Sequence, residues 1–261
     1  KYSAWKEYYT YGGLPQILQI ENEEKKINYL LDLYELTYIK DIIERNHLRN
    51  VEGLRALVRV LASNIGSSTN PKRIGDTFLS VEHITMKDST IRDYIKYLQD
   101  AYIIEEALRY DVKGRKYIGT ETKYYFADMG LRAAILNFRQ QEETHIMENI
   151  IYNELRMRGY RIDVGLVETW KTSTEGKNVR VPLEVDFVVN KGAERIYIQS
   201  AFRMPTEDKV VQEKRSLLHT NDNFRKIIIV GDDIKRKTDE QGIITMSLYD
   251  FLLDPHSIDR L

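Results

Sequence analysis

Residues 184–201 constrain this chain most. They read Glu184-Val-Asp186-Phe-Val-Val, then Asn190-Lys191-Gly192-Ala193, then Ile196-Tyr-Ile-Gln199-Ser-Ala201. Two apolar runs of strand length flank a short turn containing glycine, which predicts a β-hairpin. An aspartate sits inside the first run, although strand composition disfavours Asp. Side chains alternate faces along a strand, so Glu184 and Asp186 share one face. Tyr197, Gln199, Ala201 and Arg203 share a face of the partner strand. A buried strand carrying acids against an amide and an alanine is the feature to be explained.

The rest of the chain sets the frame. At 261 residues with 42% hydrophobic content and a formal charge of −1, it fits a soluble globular protein of one large or two smaller domains. No apolar run approaches the ~20 residues that a membrane helix needs. Zero cysteines exclude disulfides, thiol catalysis and Cys-based zinc sites, and suit a cytoplasmic protein. The five histidines include no close pair, and no phosphate-binding G-x-x-x-x-G-K-[ST] loop occurs. The chain starts at Lys1 and enters at once on dense sequence, so it is expected to be the C-terminal part of a longer protein.

Three segments follow from the patterning. Residues 1–53 read as helical: Gly12-Gly13-Leu14-Pro15 marks a turn, and Ile27, Leu30, Leu31, Tyr34, Tyr38, Ile39 and Ile42 then recur at helical spacing. Residues 54–140 have the order of a winged helix-turn-helix. Asn70-Pro71 opens one helix and Lys87-Asp88-Ser89 another. Strands at 102–108 and 123–126 flank a tight turn at 111–116. Residues 141–261 switch to an α/β pattern. Helices are expected around Glu148 and Gln212 and strands near 160–171, 180–189, 195–203 and 226–230. The fold class is therefore α+β, a helical segment and winged helix followed by an α/β domain.

Two constellations carry chemistry. On the second winged-helix helix, Arg92 and Lys96 are expected to face away from Ile91, Ile95 and Leu98, and the wing adds Lys113, Arg115 and Lys116. Such cations suit phosphate contacts on duplex DNA. With 14 basic against 11 acidic residues, 51–140 is the one positive region, but it lacks a strongly basic stripe, so docking to a protein partner is the competing reading. The other constellation is the hairpin. A pair of carboxylates can hold Mg²⁺ for hydrolysis of a bound substrate by an activated water. Asp186 supplies one carboxylate, with Glu148 and Glu184 as further candidate ligands. Gln199 offers only a neutral oxygen, which binds Mg²⁺ more weakly than a carboxylate, and Ala201 offers no polar group. Lys209 and Lys214 on the next helix could bring an ammonium group, though lysines there more often face solvent.

The layout of Asp186 and then Gln199-Ser-Ala201 resembles, in degenerate form, the metal site of restriction-endonuclease-like nucleases. A wider likeness runs through Tyr11-Gly-Gly-Leu-Pro15, Ser89-Thr-Ile-Arg-Asp-Tyr94, Lys123-Tyr-Tyr-Phe-Ala-Asp128-Met-Gly130-Leu, Glu148-Asn-Ile and Glu184-Val-Asp-Phe187. In that order these segments resemble a class of prokaryotic AAA+-type ATPases with a winged helix and a C-terminal domain of unknown function on a restriction-endonuclease-like core. The resemblance implies an ATP- and Mg-binding domain upstream, with no cofactor in this chain itself. It places Glu148, Asp186 and Gln199 on the nuclease-like positions. The resulting expectation is a DNA- or partner-binding region with an inactive nuclease-like domain, working with the ATPase domain or as a homo-oligomer. The alternatives are a metal-dependent DNA nuclease with a rearranged site and a protein-docking or oligomerisation module.

Overall fold

Apolar residues at helical spacing, punctuated by asparagine caps, build the first part of the chain. The structure is a computed structural model describing residues 1–82, 85–139, 142–172 and 176–259. The chain divides into two compact units, 1–106 with 121–150 and 107–120 with 151–261. It is a mixed α+β protein. Among the described residues no helix is long and apolar enough to cross a membrane. The boundary expected between residues 140 and 141 lies outside the described residues.

In the first unit, α1 (Tyr2–Tyr11) stops at Gly12. Asn22 then caps α2 (Glu23–Asp32), its side chain accepting from the Lys25 N–H. α2 passes through a π-helical stretch (Leu33–Ile39) into α3 (Lys40–Asn46). The cause is visible in the spacing. The buried residues are Leu30, Tyr34, Ile39 and Ile42, and the five-residue step from Tyr34 to Ile39 stays on one face only if the helix widens there. Asn50 caps α4 (Val51–Ser63), which buries Leu54, Leu57, Val58 and Leu61. Asn70, followed by Pro71, caps α5 (Pro71–Thr77). α6 (Asp88–Asp100) buries Ile91, Tyr94, Ile95 and Leu98, as its periodicity predicts.

Next comes a hairpin of β1 (Ile104–Asp111) and β2 (Lys116–Phe126), whose turn is closed by the Gly114 N–H donating to Asp111 Oδ1 at 2.9 Å. Its tip, residues 107–120, belongs to the second unit. α7 (Met129–Ile135) and α8 (Glu143–Met157) follow. Sequence patterning gave no sign of α7. Asp128 caps it by accepting from the Leu131 N–H at 2.9 Å, and the same carboxylate accepts from the Gly13 N–H at 2.8 Å. Two glycines make that junction possible. Gly12 has φ +79°, and a Cβ on it would collide with the Asp128 carboxylate; a Cβ on Gly130 would collide with the Tyr11 carbonyl. The Tyr11–Pro15 and Ala127–Leu131 segments are thus two halves of one packed joint.

The second unit is built on a sheet. β3 (Arg161–Thr172), β4 (Asn178–Lys191) and β5 (Glu194–Ala201) pair antiparallel to one another in succession. α9 (Glu207–Leu218) crosses to β6 (Arg225–Val230), parallel to β5. β7 (Lys237–Thr238) forms an edge, β8 (Ile243–Ser247) pairs parallel with β6, and α10 (Leu248–Leu253) closes the order. The strand order is β2-β1-β3-β4-β5-β6-β8-β7. β1 pairs in parallel with β3, Arg109 opposite Val164 through Asp111 opposite Leu166. The tip of the hairpin is therefore sheet as well as turn. Val112, Val167, Val185, Val188, Tyr197, Ala201, Leu217 and Ile228 form the core.

Candidate functional site

Asp186 is where the hairpin chemistry is decided. The β4–β5 register, Phe187 opposite Ile198, puts Asp186 across from Gln199 when extended by one pair. Asp186 is 8% exposed. Its Oδ2 accepts from the Ser200 N–H at 2.7 Å, so main chain of the next strand holds the carboxylate. Gln199 is committed too. Its Oε1 accepts from the Asp186 N–H at 3.4 Å and from Ser216 Oγ, on α9, at 3.3 Å. The Gln199 amide oxygen therefore links β4 to α9. Ala201 is 2% exposed and part of the core.

The other hairpin candidates are dispersed. Glu184, two residues along β4, lies with Oε2 3.8 Å from Arg109 Nη2. Lys209 pairs with Glu213 at 2.5 Å and Lys214 with Asp239 at 2.6 Å. Exposed Arg203 is 3.9 Å from Asp232. Among the described residues no three His, Cys, Asp or Glu side chains gather in a metal-holding group. What the arrangement provides at Asp186 is one negative charge beside a neutral amide, within hydrogen bonds that tie three elements together.

Glu148 belongs to the first unit. It lies on α8 and is also 8% exposed. Its Oε1 accepts from Lys123 Nζ at 2.9 Å and from the Tyr125 hydroxyl at 2.7 Å. Lys123 and Tyr125 alternate on β2 and so reach α8 from one face. Beside them, Asn149 accepts from the Phe126 N–H and donates to the Phe126 carbonyl, both at 2.8 Å. The Glu148-Asn149 pair is a clamp from helix to strand. The alternation of Lys123 and Tyr125 was the one signal in the sequence that could have identified these partners.

The expected DNA-contacting cations are exposed. Arg92 and Lys96 stand one turn apart on α6, in the first unit. Lys113, Arg115 and Lys116 sit at the β1–β2 turn, in the second. Arg115 takes a left-handed φ of 51°, and Lys113 Nζ donates to the Glu168 carbonyl at 2.8 Å. Burial pushes the Tyr124 hydroxyl up to about 12, with nearby Arg92 opposing that rise.

Residues 2–142 match a family described as a domain of unknown function, DUF8612. The chain belongs to that family. The DUF8612 match contains the Gly12–Asp128–Gly130 joint and α6, and it ends before Glu148 and the β4–β5 hairpin. An uncharacterised protein of Haemophilus influenzae is 31% identical over 249 residues, 95% of this chain and 58% of that protein. An uncharacterised protein of Methanocaldococcus jannaschii is 27% identical over 154 residues, 59% of this chain and 34% of that one. The chain thus spans less than two thirds of the length of these relatives. Protein VC1899 from Vibrio cholerae, of known crystal structure, aligns with 87% of this chain and 53% of its own at 11% identity and a TM-score of 0.29, too low a likeness to carry an argument.

Proposed function

We propose that this chain is the DNA-contacting C-terminal region of a prokaryotic AAA+-type ATPase, and that its second unit is a restriction-endonuclease-like domain that holds rather than cuts. The observation that carries this reading is Gln199: opposite the buried Asp186, an amide oxygen occupied by the Asp186 N–H and the Ser216 hydroxyl takes the place of a second carboxylate. An amide there removes a full charge from a Mg²⁺ site, and Ala201 supplies no ammonium group for an attacking water. The order β3-β4-β5-α9-β6 supports the nuclease-like reading of the fold. The order α5, α6, β1–β2 supports a winged helix, with Arg92 and Lys96 on the exposed side of its second helix.

Binding is then electrostatic and insensitive to sequence. Arg92 and Lys96 contact phosphates from the first unit, and Lys113, Arg115 and Lys116 are separate candidate phosphate contacts on the second. Titration of labelled duplex at low and moderate salt tests this. The double variant Arg92→Ala, Lys96→Ala should weaken binding alike for all sequences and flatten the salt slope by up to ~2 units. Absence of binding at low salt, or unchanged binding in the double variant, would turn the reading toward a protein-docking surface.

A further inference from the structure

A cavity of about 500 Å³ opens in the second unit, lined by Tyr110, Tyr117, Arg161, Asp163, Lys191 and Arg195 together with the Asn190–Gly192 turn. Its volume is within the range of small-ligand sites. None of these residues belongs to the Asp186 cluster. We propose that this cavity binds one nucleotide unit, its base against Tyr117 and its phosphate among Arg161, Lys191 and Arg195. The proposal extends the DNA-contacting reading to a separate site and does not depend on duplex binding.

Charge and shape select the ligand. Three cations surround a single carboxylate, Asp163, so the cavity favours an anion. Its aromatic groups add a flat, apolar surface. The Tyr110 and Tyr117 rings meet edge-on, with centroids 5.5 Å apart at 70°, and Tyr117 is 60% exposed, leaving ring surface open to a base. The Tyr117 hydroxyl donates to Asp163 Oδ2 at 3.3 Å, which fixes the ring's tilt. Arg195 is equally preset. Its Nε donates to Asn190 Oδ1 at 2.9 Å, its Nη2 to the Tyr110 hydroxyl at 3.4 Å, and its guanidinium lies 5.1 Å from the Tyr110 ring centroid. Lys191 Nζ donates to the Arg158 carbonyl at 3.0 Å, which holds its charge at the cavity rim. Arg161 is exposed at the start of β3 and forms no ion pair among the described residues. A stacking ring beside preset cations is the combination used for nucleotides whose bases are not paired. A metabolite with phosphate but no ring would leave Tyr117 unused.

Such a unit can be a free mononucleotide or one residue of a single strand. Both sources are tested by titrating the 261-residue chain with deoxyadenosine monophosphate and with a short labelled oligo(dA). The variants are Tyr117→Ala, Tyr117→Phe and Arg161→Ala, all at exposed positions. Tyr117→Ala should weaken binding about tenfold, the scale of one lost base–aromatic stack, and Tyr117→Phe should retain it. Arg161→Ala should weaken binding and reduce its salt dependence. Tyr117-dependent binding of the mononucleotide identifies a free-nucleotide site; Tyr117-dependent binding of oligo(dA) alone identifies a strand site. Either result supports the proposal. If neither ligand binds, or Tyr117→Ala leaves binding unchanged, the proposal is overturned. Bases inside a duplex are already stacked, so a chain that binds oligo(dA) through Tyr117 but ignores duplex DNA would contradict only the winged-helix reading.

Discussion

Glu148 and Asp186 are two carboxylates buried to the same degree, and their surroundings differ in kind. Glu148, in the first unit, is met by side chains, the Lys123 ammonium and the Tyr125 hydroxyl. Asp186, in the second, is met by the main chain of the adjacent strand, at the Ser200 N–H. A carboxylate paired with a buried ammonium is one half of a device that works only intact, because either charge alone is costly to bury. The Asp186 Oδ2 contact is to a neutral amide N–H, so losing that contact strands a main-chain donor rather than a charge. The comparison shows why Glu148 fits a structural clamp, although the sequence marks it, like Asp186, only as a candidate metal ligand.

The comparison can be broken most decisively at Glu148. Glu148→Ala strands the Lys123 ammonium beside Tyr125 and should lower stability by about 3–5 kcal/mol, read as a shift in the urea midpoint. Asp186→Ala leaves the Ser200 N–H without its acceptor and should cost less, about 1–3 kcal/mol. If the two variants were equally destabilised, or their order reversed, the distinction between clamp and strand-held acid would be wrong.

A third carboxylate sharpens the comparison with a smaller effect. Burial pushes the Asp128 carboxyl above the usual carboxylate range, and the N–H groups of Gly13, Leu131 and Gly130 pull it partly back. Because the folded-state value is the higher one, the associated stability is fully present below the unfolded value of about 3.9 and is lost as pH rises through the folded value. Asp128→Asn cannot titrate. Its stability relative to wild type should therefore climb with pH across the acid range and then level off. A difference that falls with rising pH would contradict the assignment.

Much of this architecture is local and therefore legible in the sequence. Asn70 with Pro71, the buried stripe Ile91–Tyr94–Ile95–Leu98, and the turn at 190–193 each identify their element within a few residues. The rest depends on distant partners. Nothing near 104–111 announces that β1 will pair in parallel with β3. β8 is only five residues long, too short for periodicity to distinguish helix from strand. The same limit applies to the site. Alternation put Asp186 and Gln199 each on a face of its own strand, but their pairing comes from the β4–β5 register, and the claim of Ser216 on the same amide oxygen comes from a helix that only the fold brings there. Tyr110 and Tyr117 are seven residues apart in sequence, and only the folded hairpin places them in one cavity with Arg161 and Arg195.

The central claim, that the second unit holds nucleic acid without cutting it, is tested most directly by incubating the chain with single-stranded, duplex and branched DNA in Mg²⁺ and in Mn²⁺, with Asp186→Ala as the control. Loss of one electrostatic group at a reacting centre typically costs ~10²–10³ in rate, and in the proposed nuclease-like reading Gln199 and Ala201 stand at the positions of the second carboxylate and the lysine. The account predicts no cleavage above that of the Asp186→Ala protein in either metal. Metal-dependent cleavage by the wild-type chain that disappears in Asp186→Ala would contradict it.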